Sequence, residues 1–380
     1  MSRVARFHTI NAVPNSGYLP SPETQTRGAR RRALEERNLE LRRRRRRRLV
    51  PLVVIVLLLG IVAAVLVAHK SSKSSPAAAT STTAHASTTT TTAPPYVPPA
   101  ITPAITPAIT PASAGEGQWT TQDPWSPGGP SVMTTNWRPY ASNPSVVAFA
   151  AWMRTSSTQL ALFPGYEGPG PSSFNRGPQE IPPSSRGTLL AAFNSGFYEA
   201  DAAAGFYTNG TLYDPMINGL ATVVAYTDGT VDIVNWSGGS TPGSNVVMAR
   251  QNLSMLVENS QPTASVTNGP AWGITLGGGP TVPRTALGVD AHGNLIYVTA
   301  TQQTAQSLAQ LMVQVGAVRA MQLDINPAWP IYVTYGGPGA ANPSLDVVNY
   351  QQYGNRFLYS STKDFFALYI RTPGVVQQPW

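Results

Sequence analysis

The 380-residue chain contains no cysteine. For any exported part this excludes disulfide stapling, so a folded region must be stable through its own core. Histidine is almost as scarce: beyond residue 115 only His292 remains, in the turn-like stretch "DAHGN" at 290–294. Papain-like and Ser-His-Asp machinery therefore lack parts, and zinc finds one histidine and no thiolate. Catalysis, if present, must rest on carboxylates, amides, arginines and backbone N–H groups.

Charge is also sparse, at 12% of residues, and it is unevenly placed. Residues 1–48 hold 14 Arg against four Glu, a local balance of +10, whereas residues 115–380 hold nine Arg and one Lys (Lys363) against 14 acids, a balance of −4. The net charge of +8 thus belongs to the N-terminus. Tracking phosphates requires a basic face on the folded part, so nucleic acid is not the expected partner of the main domain.

What the N-terminal half does have is one long apolar run. Residues 49–68, "LVPLVVIVLLLGIVAAVLVA", carry no charge; as a helix they would rise about 30 Å, a bilayer's hydrocarbon thickness. Seven arginines, Arg42 to Arg48, precede the run and only Lys70 and Lys73 follow it closely. The positive-inside bias then keeps the N-terminus cytoplasmic and places the C-terminal bulk outside. A solvated basic tail is the other reading of the arginines, but their contact with a spanning-length segment favours topogenesis. Ala84-His85-Ala86 resembles a signal-peptide processing site, yet it lies well beyond the run, which is long for an h-region. The lipid bilayer is thus the expected partner of residues 49–68, in a single pass.

Residues 69–114 are mostly Ser, Thr, Ala and Pro and include "ITPAITPAITPA" at 101–112. Such composition buries too little apolar surface to fold, and its prolines favour extended segments. Fully extended, this stalk would reach on the order of 140 Å. The expected organisation is a basic cytoplasmic tail (1–48), a transmembrane helix (49–68), a stalk (69–114) and an outer domain (115–380).

In the outer domain, "SVVAFAAW" (145–152), "TQLALF" (158–163), "TLLAAF" (188–193), "LATVVAY" (220–226) and "TVDIVNW" (230–236) read as strands, with turns at Asp228-Gly229 and at 290–294. Two segments read as helices. Residues 244–258 offer Ser244 or Asn245 as a cap, and residues 304–315 offer Thr304 as cap, one apolar face, and Gly316 as stop. Strand 295–300, the second helix and strand 320–325 would form a right-handed βαβ unit delivering Asp324 near a strand end. The fold class expected is α+β: a mostly antiparallel sheet with a few helices and one βαβ unit.

Chemistry-bearing residues gather in short stretches. "AAFNSGFYEAD" puts Asn194 where a strand enters a Ser-Gly turn, with Glu199 and Asp201 after it; a capped turn with exposed acids is the plain alternative. "VPRTALGVD" starts a strand with Arg284, either a surface cation or an anion clamp. Asp324 closes the apolar run of "AMQLDINPAW" and is followed by Asn326 and Trp329.

The order of Asn-Ser-Gly-Phe-Tyr (194–198), Gly-Phe-Tyr-Thr-Asn-Gly (205–210), Arg-Thr-Ala-Leu-Gly-Val-Asp (284–290) and Gly-Ala-Val-Arg-Ala-Met-Gln-Leu-Asp (316–324) resembles the phosphodiester glycosidase family. The likeness spans roughly 185–360, and "ARQNLSMLVEN" and "NLIYV" look like its bacterial members, especially actinobacterial envelope proteins. The resemblance places the family's Asn-Gly-Gly-Phe-Phe on Asn194 to Tyr198, with Ser195 for a glycine and Gly196 kept, and its Arg-Thr-Ala-x-Gly on Arg284 to Gly288. Its Leu-Asp-Gly-Gly-Gly-Ser-Ser falls on Leu323 to Trp329, where only Leu323 and Asp324 persist. Successive glycines can aim N–H groups into an anion nest, whereas Ile325 is β-branched and Pro327 has no N–H. Asn326 and Trp329 can instead hydrogen-bond and stack a sugar ring, or Trp329 packs on the sheet.

The resemblance implies a hydrolase of a sugar C1–O bond in a phosphodiester-linked or related cell-envelope glycan. Asp324 would stabilise an oxocarbenium-like centre or act as base, Glu199 or Asp201 would serve as acid, Arg284 would clamp an anion, and Asn194 and Gly196 would orient substrate. Cofactors are undetermined: a divalent cation at Asp324 is compatible with these residues, but no ligand cluster compels it. The alternative is a non-catalytic glycan-binding domain on the same fold.

Overall fold

The computed structural model describes residues 103–380, apart from 128–129, 172, 203, 274–278, 348–351, 373–377 and 379. The basic tail, the 49–68 run and most of the stalk lie outside the described residues. Among the described residues no helix is long and apolar enough to cross a membrane.

The β-branched and aromatic runs, punctuated by Gly, Asn and Asp, fold into three sheets. An eight-stranded sheet has the order Thr120–Thr121, Val132–Trp137, Ala148–Met153, Leu295–Gln303, Val282–Val289, Arg319–Gln322, Met255–Glu258, Gln261–Pro262. A five-stranded sheet runs Ala341–Leu345, Tyr332–Gly337, Leu189–Asn194, Phe365–Ile370, Thr158–Phe163. A second five-stranded sheet runs Thr211–Asp214, Phe206–Thr208, Val246–Gln251, Ala221–Tyr226, Val231–Asn235. Each pairing among the described residues is antiparallel.

Local chemistry fixes the turns. Asp228 Oδ1 accepts from the Thr230 N–H at 2.8 Å to close one hairpin. In the other, Asp290 Oδ1 gathers the N–H groups of His292 (2.8 Å) and Asn294 (2.9 Å). Helix Ala305–Gln314 opens with a capping box between Thr304 and Ser307 and is followed by Gly316 at φ 91°.

The layers follow from where apolar residues face. Leu308, Leu311 and Met312 of the helix pack with Ile296, Val298 and Ala286 on one face of the large sheet, each large side chain stabilising by about 1.5–3 kcal/mol. The opposite face, with Phe149, Leu287, Tyr297 and Met321, packs on Phe193, Leu190, Phe206, Val223 and Phe366 from both smaller sheets. A sheet covered on both faces explains why "SVVAFAAW" is continuously apolar rather than alternating. Phe193 stacks on Tyr332 at 5.5 Å and tilts against Tyr297 at 5.3 Å, tying two sheets together. Ile105, within the proline repeat, is 4% exposed and packs with Trp137, so the folded surface takes in part of that repeat.

Two expectations change. Residues 244–258 are not helical: they form strands Val246–Gln251 and Met255–Glu258. The first is inserted between Phe206–Thr208 and Ala221–Tyr226, so both its edges are hydrogen-bonded, and this pairing outweighs a weak helical pattern. The βαβ unit is split. Strands Leu295–Gln303 and Arg319–Gln322 are both antiparallel to Val282–Val289, which lies between them, so they run parallel without being neighbours.

Candidate functional site

Ends of strands from all three sheets meet at one place. Asn194 ends Leu189–Asn194, Asn252 follows Val246–Gln251, Asp324 follows Arg319–Gln322, and Lys363 and Asp364 precede Phe365–Ile370. All five side chains are buried. Burying so many polar groups is tolerable only if each finds a partner, and each does.

Asp324 Oδ2 accepts from Lys363 Nζ at 2.7 Å, an ion pair with both side chains 4% exposed. Its Oδ1 accepts from the Asn326 N–H at 2.7 Å. Lys363 also donates to the Gly196 carbonyl and sits 4.6 Å from the Tyr198 ring centroid. A second buried pair lies alongside: Arg250 Nε donates to Asp364 Oδ2 at 2.8 Å, and its guanidinium also reaches the Gln251 and Phe197 carbonyls. The two cations thus hold consecutive carbonyls of the turn after Asn194. Asn252 ties the same turn to the Asp324 strand: its Oδ1 accepts from the Phe197 N–H at 3.4 Å and its Nδ2 donates to the Gln322 and Leu323 carbonyls at 2.6 and 2.8 Å. A Cβ at Gly196 would stand 3.1 Å from Asn252 Cγ, so a glycine suits this close approach.

Thr285 joins the sequence-predicted residues. Its Oγ1 accepts from Asn194 Nδ2 at 3.0 Å and from the Asp324 N–H at 2.9 Å, and donates to the Asp324 carbonyl at 3.0 Å. Asn194 Oδ1 in turn accepts from Tyr297 Oη at 2.8 Å and the Ile331 N–H at 3.3 Å. With four hydrogen bonds to protein, Asn194 is a strut as much as a substrate contact.

The structure brings Asn194, Gly196, Asp324 and Asn326 together and sets the others around them differently. Arg284, next to Thr285, is 3% exposed and donates to the Gln303 and Trp272 carbonyls (3.0 and 3.1 Å) and to Gln322 Oε1 (2.6 Å). It has no carboxylate partner among the described residues, and desolvation lowers its pKa to about 10. Asp201 is exposed on helix Glu199–Ala202, while the Glu199 side chain lies outside what is described. Asn326 Oδ1 accepts from the Ala328 N–H at 3.1 Å and its carbonyl from the Trp329 N–H at 2.9 Å, so "INPAW" is a closed turn. Trp329 is half-buried and belongs to none of the buried apolar clusters.

Sequence reasoning missed Lys363, Thr285, Asn252 and the Arg250–Asp364 pair. One signal was available: Lys363 is the single lysine after residue 114. Tyr198, the last residue of the Asn194 motif, donates its hydroxyl to Glu167 Oε2 at 3.2 Å. Burial, and then the Glu167 charge, push that phenol's pKa up, so it remains a donor at neutral pH. Ser195 Oγ is fully buried without a hydrogen-bond partner. Among the described residues no three His, Asp or Glu gather as metal ligands.

The arrangement offers a carboxylate held by an ammonium, a tyrosine hydroxyl bridged to an exposed glutamate, and a turn whose carbonyls are pinned. No curated protein matches the chain. Among solved structures, the catalytic domain of zebrafish N-acetylglucosamine-1-phosphodiester alpha-N-acetylglucosaminidase, auto-inhibited by its pro-peptide, is 18% identical with TM-score 0.42, covering 67% of this chain and 87% of that one. A hypothetical protein from Synechocystis is 10% identical with TM-score 0.36, covering 63% and 62%. An exported protein from Burkholderia pseudomallei is 13% identical with TM-score 0.32, covering 59% and 74%. The family model described as phosphodiester glycosidase matches residues 187–324. That segment, which holds Asn194, Thr285 and Asp324, belongs to the phosphodiester glycosidase family.

Proposed function

We propose that this domain hydrolyses a sugar C1–O bond in a phosphodiester-linked glycan of the cell envelope, held at the membrane by residues 49–68 with its N-terminus cytoplasmic. The observation that carries the reading is the buried Asp324–Lys363 pair at the meeting of three sheets, with Asp324 the last residue of the matched segment. Cleavage at an anomeric carbon passes through an oxocarbenium-like state, which the Asp324 carboxylate would stabilise while an acid protonates the departing oxygen. Glu199 and Asp201 on the helix after the Asn194 turn, and Glu167 beside Tyr198, are the carboxyl groups available for the second role. Arg284, adjacent to Thr285, adds a positive charge with no carboxylate partner among the described residues.

One observation favours a second reading, a glycan-binding domain without turnover. Both Asp324 oxygens already have protein partners, and Ile325-Asn326-Pro327 stands where the resemblance would place glycines. The discriminating experiment incubates the purified full-length chain with envelope glycans and synthetic sugar 1-phosphodiesters, alongside Asp324→Asn. Release of reducing sugar by wild type and its loss in D324N is the expected result. Release that survives the substitution overturns the role given to Asp324, and glycan binding without release establishes the second reading.

A further inference from the structure

The turn that carries Lys363 is also the floor of an exposed aromatic surface. Tyr166 N–H donates to the Ser361 carbonyl at 3.0 Å and Glu167 N–H to the Thr362 carbonyl at 3.0 Å, laying residues 166–167 against 361–362. Arg356 Nη2 donates to the same residue, Ser361 Oγ, at 3.1 Å, and Ser361 Oγ donates to the Lys363 carbonyl at 2.6 Å. The Arg356 N–H donates to the Tyr353 carbonyl at 3.0 Å. On the far side Gln352 Nε2 donates to the Ala328 carbonyl at 2.6 Å, which brings the Tyr353 segment beside Trp329. Tyr353 and Tyr166 are 56% and 46% exposed, so both rings are open to a ligand from solvent.

The cations nearby are not equally free. Lys363 is held by Asp324, Arg250 by Asp364, and Arg284 is buried against carbonyls. Arg356 is half-exposed and has no carboxylate partner among the described residues; its side chain makes one hydrogen bond, to Ser361, and lies over the Phe357 ring at 6.0 Å. Partial burial lowers the Arg356 pKa, and the phenols of Tyr353, Tyr166 and Tyr198 lie around it. A guanidinium with free N–H groups amid tyrosine faces matches a ligand that is part sugar ring and part oxyanion.

Resting on the glycosidase reading above, we infer that Arg356 is the anion-binding group of this site, receiving the phosphate of a sugar phosphodiester while Tyr166 and Tyr353 stack on its rings. The site then extends from Asp324 across Lys363 and Ser361 to Arg356.

The test is a titration of the full-length chain with three probes: a sugar 1-phosphodiester, the corresponding neutral glycoside, and inorganic phosphate. Loss of one charge-assisted contact should weaken phosphodiester binding by about 10- to 100-fold in Arg356→Ala, with the neutral glycoside changed by less than about two-fold. Arg356→Lys should recover part of the loss, and Tyr353→Ala should weaken both sugar probes alike. Thermal unfolding of each variant separates lost binding from lost folding, and R356K supplies the comparison if R356A is unstable. Equal phosphodiester affinity in wild type and R356A overturns this inference alone. Inorganic phosphate binding as tightly as the phosphodiester overturns the platform and leaves a simple anion site. A wild-type chain that binds neither sugar probe overturns the glycosidase reading, and this inference with it.

Discussion

Replacing Lys363 by methionine keeps the length and apolar stem of the side chain and removes its charge. Asp324 then stays 3% exposed with its Oδ2 unpaired, and the Gly196 carbonyl loses its donor. Breaking a buried pair from one side costs about 3–5 kcal/mol, because the remaining charge is neither hydrated nor compensated. For a folded unit of this size each kcal/mol lowers the melting temperature by about 2–4 °C, so K363M should melt on the order of 10 °C below wild type. Asp324→Asn alone should also destabilise, leaving an ammonium against an amide. The double variant K363M/D324N should lose much less than the two losses added, giving a coupling of at least about 2 kcal/mol, within the range seen for contacting residues. Calorimetry or circular dichroism of the four proteins reads the cycle. Losses that add to within about 0.5 kcal/mol would refute the reasoning, since independent sites behave that way.

Three further outcomes follow from the same geometry. Thr285→Val conserves shape but strips the acceptor from Asn194 Nδ2 and the Asp324 N–H; it should destabilise by about 2–3 kcal/mol in denaturant titrations and lower any sugar release, and an unchanged midpoint contradicts the hub role. Leu308→Ala, under the fully buried helix face, should cost about 2–5 kcal/mol by chemical unfolding without altering glycan affinity. Glu116, hydrogen-bonded to Arg138, has its pKa lowered from 4.5 to about 2. Because the folded-state value lies below the ordinary one, its stabilising contribution is present above pH 4.5 and is lost as pH falls toward 2. Melting temperatures of wild type and Glu116→Gln should therefore differ above pH 4.5 and converge near pH 2, and a constant gap across that range is the contrary result.

Much of this architecture is legible without coordinates. Val, Ile and Phe runs ended by Asp-Gly and His-Gly turns specify strands, because pleated backbone and tight turns are local properties. Thr304, Leu308, Leu311 and Gly316 specify one helix for the same reason. In the 244–258 segment Val247, Leu253 and Leu256 mimic a helical face, while the strands that flank Val246–Gln251 come from residues 206–208 and 221–226, beyond any local window. Asn194, Gly196, Arg284 and Asp324 could be singled out from motif order. The two buried cations that hold the turn between them could not.

By itself, then, the sequence determined composition-level facts: folding without disulfides, a net positive charge that belongs to the N-terminus, one spanning-length apolar run, antiparallel strands, and the identity of Asp324 as the acid to watch. Only the tertiary structure decided which partners that acid has. Lys363 lies 39 residues beyond Asp324 in the chain, and Arg250 lies 114 residues before Asp364. Such pairings depend on sheets stacking so that strand ends coincide, a long-range outcome of apolar packing that no window of neighbouring residues encodes.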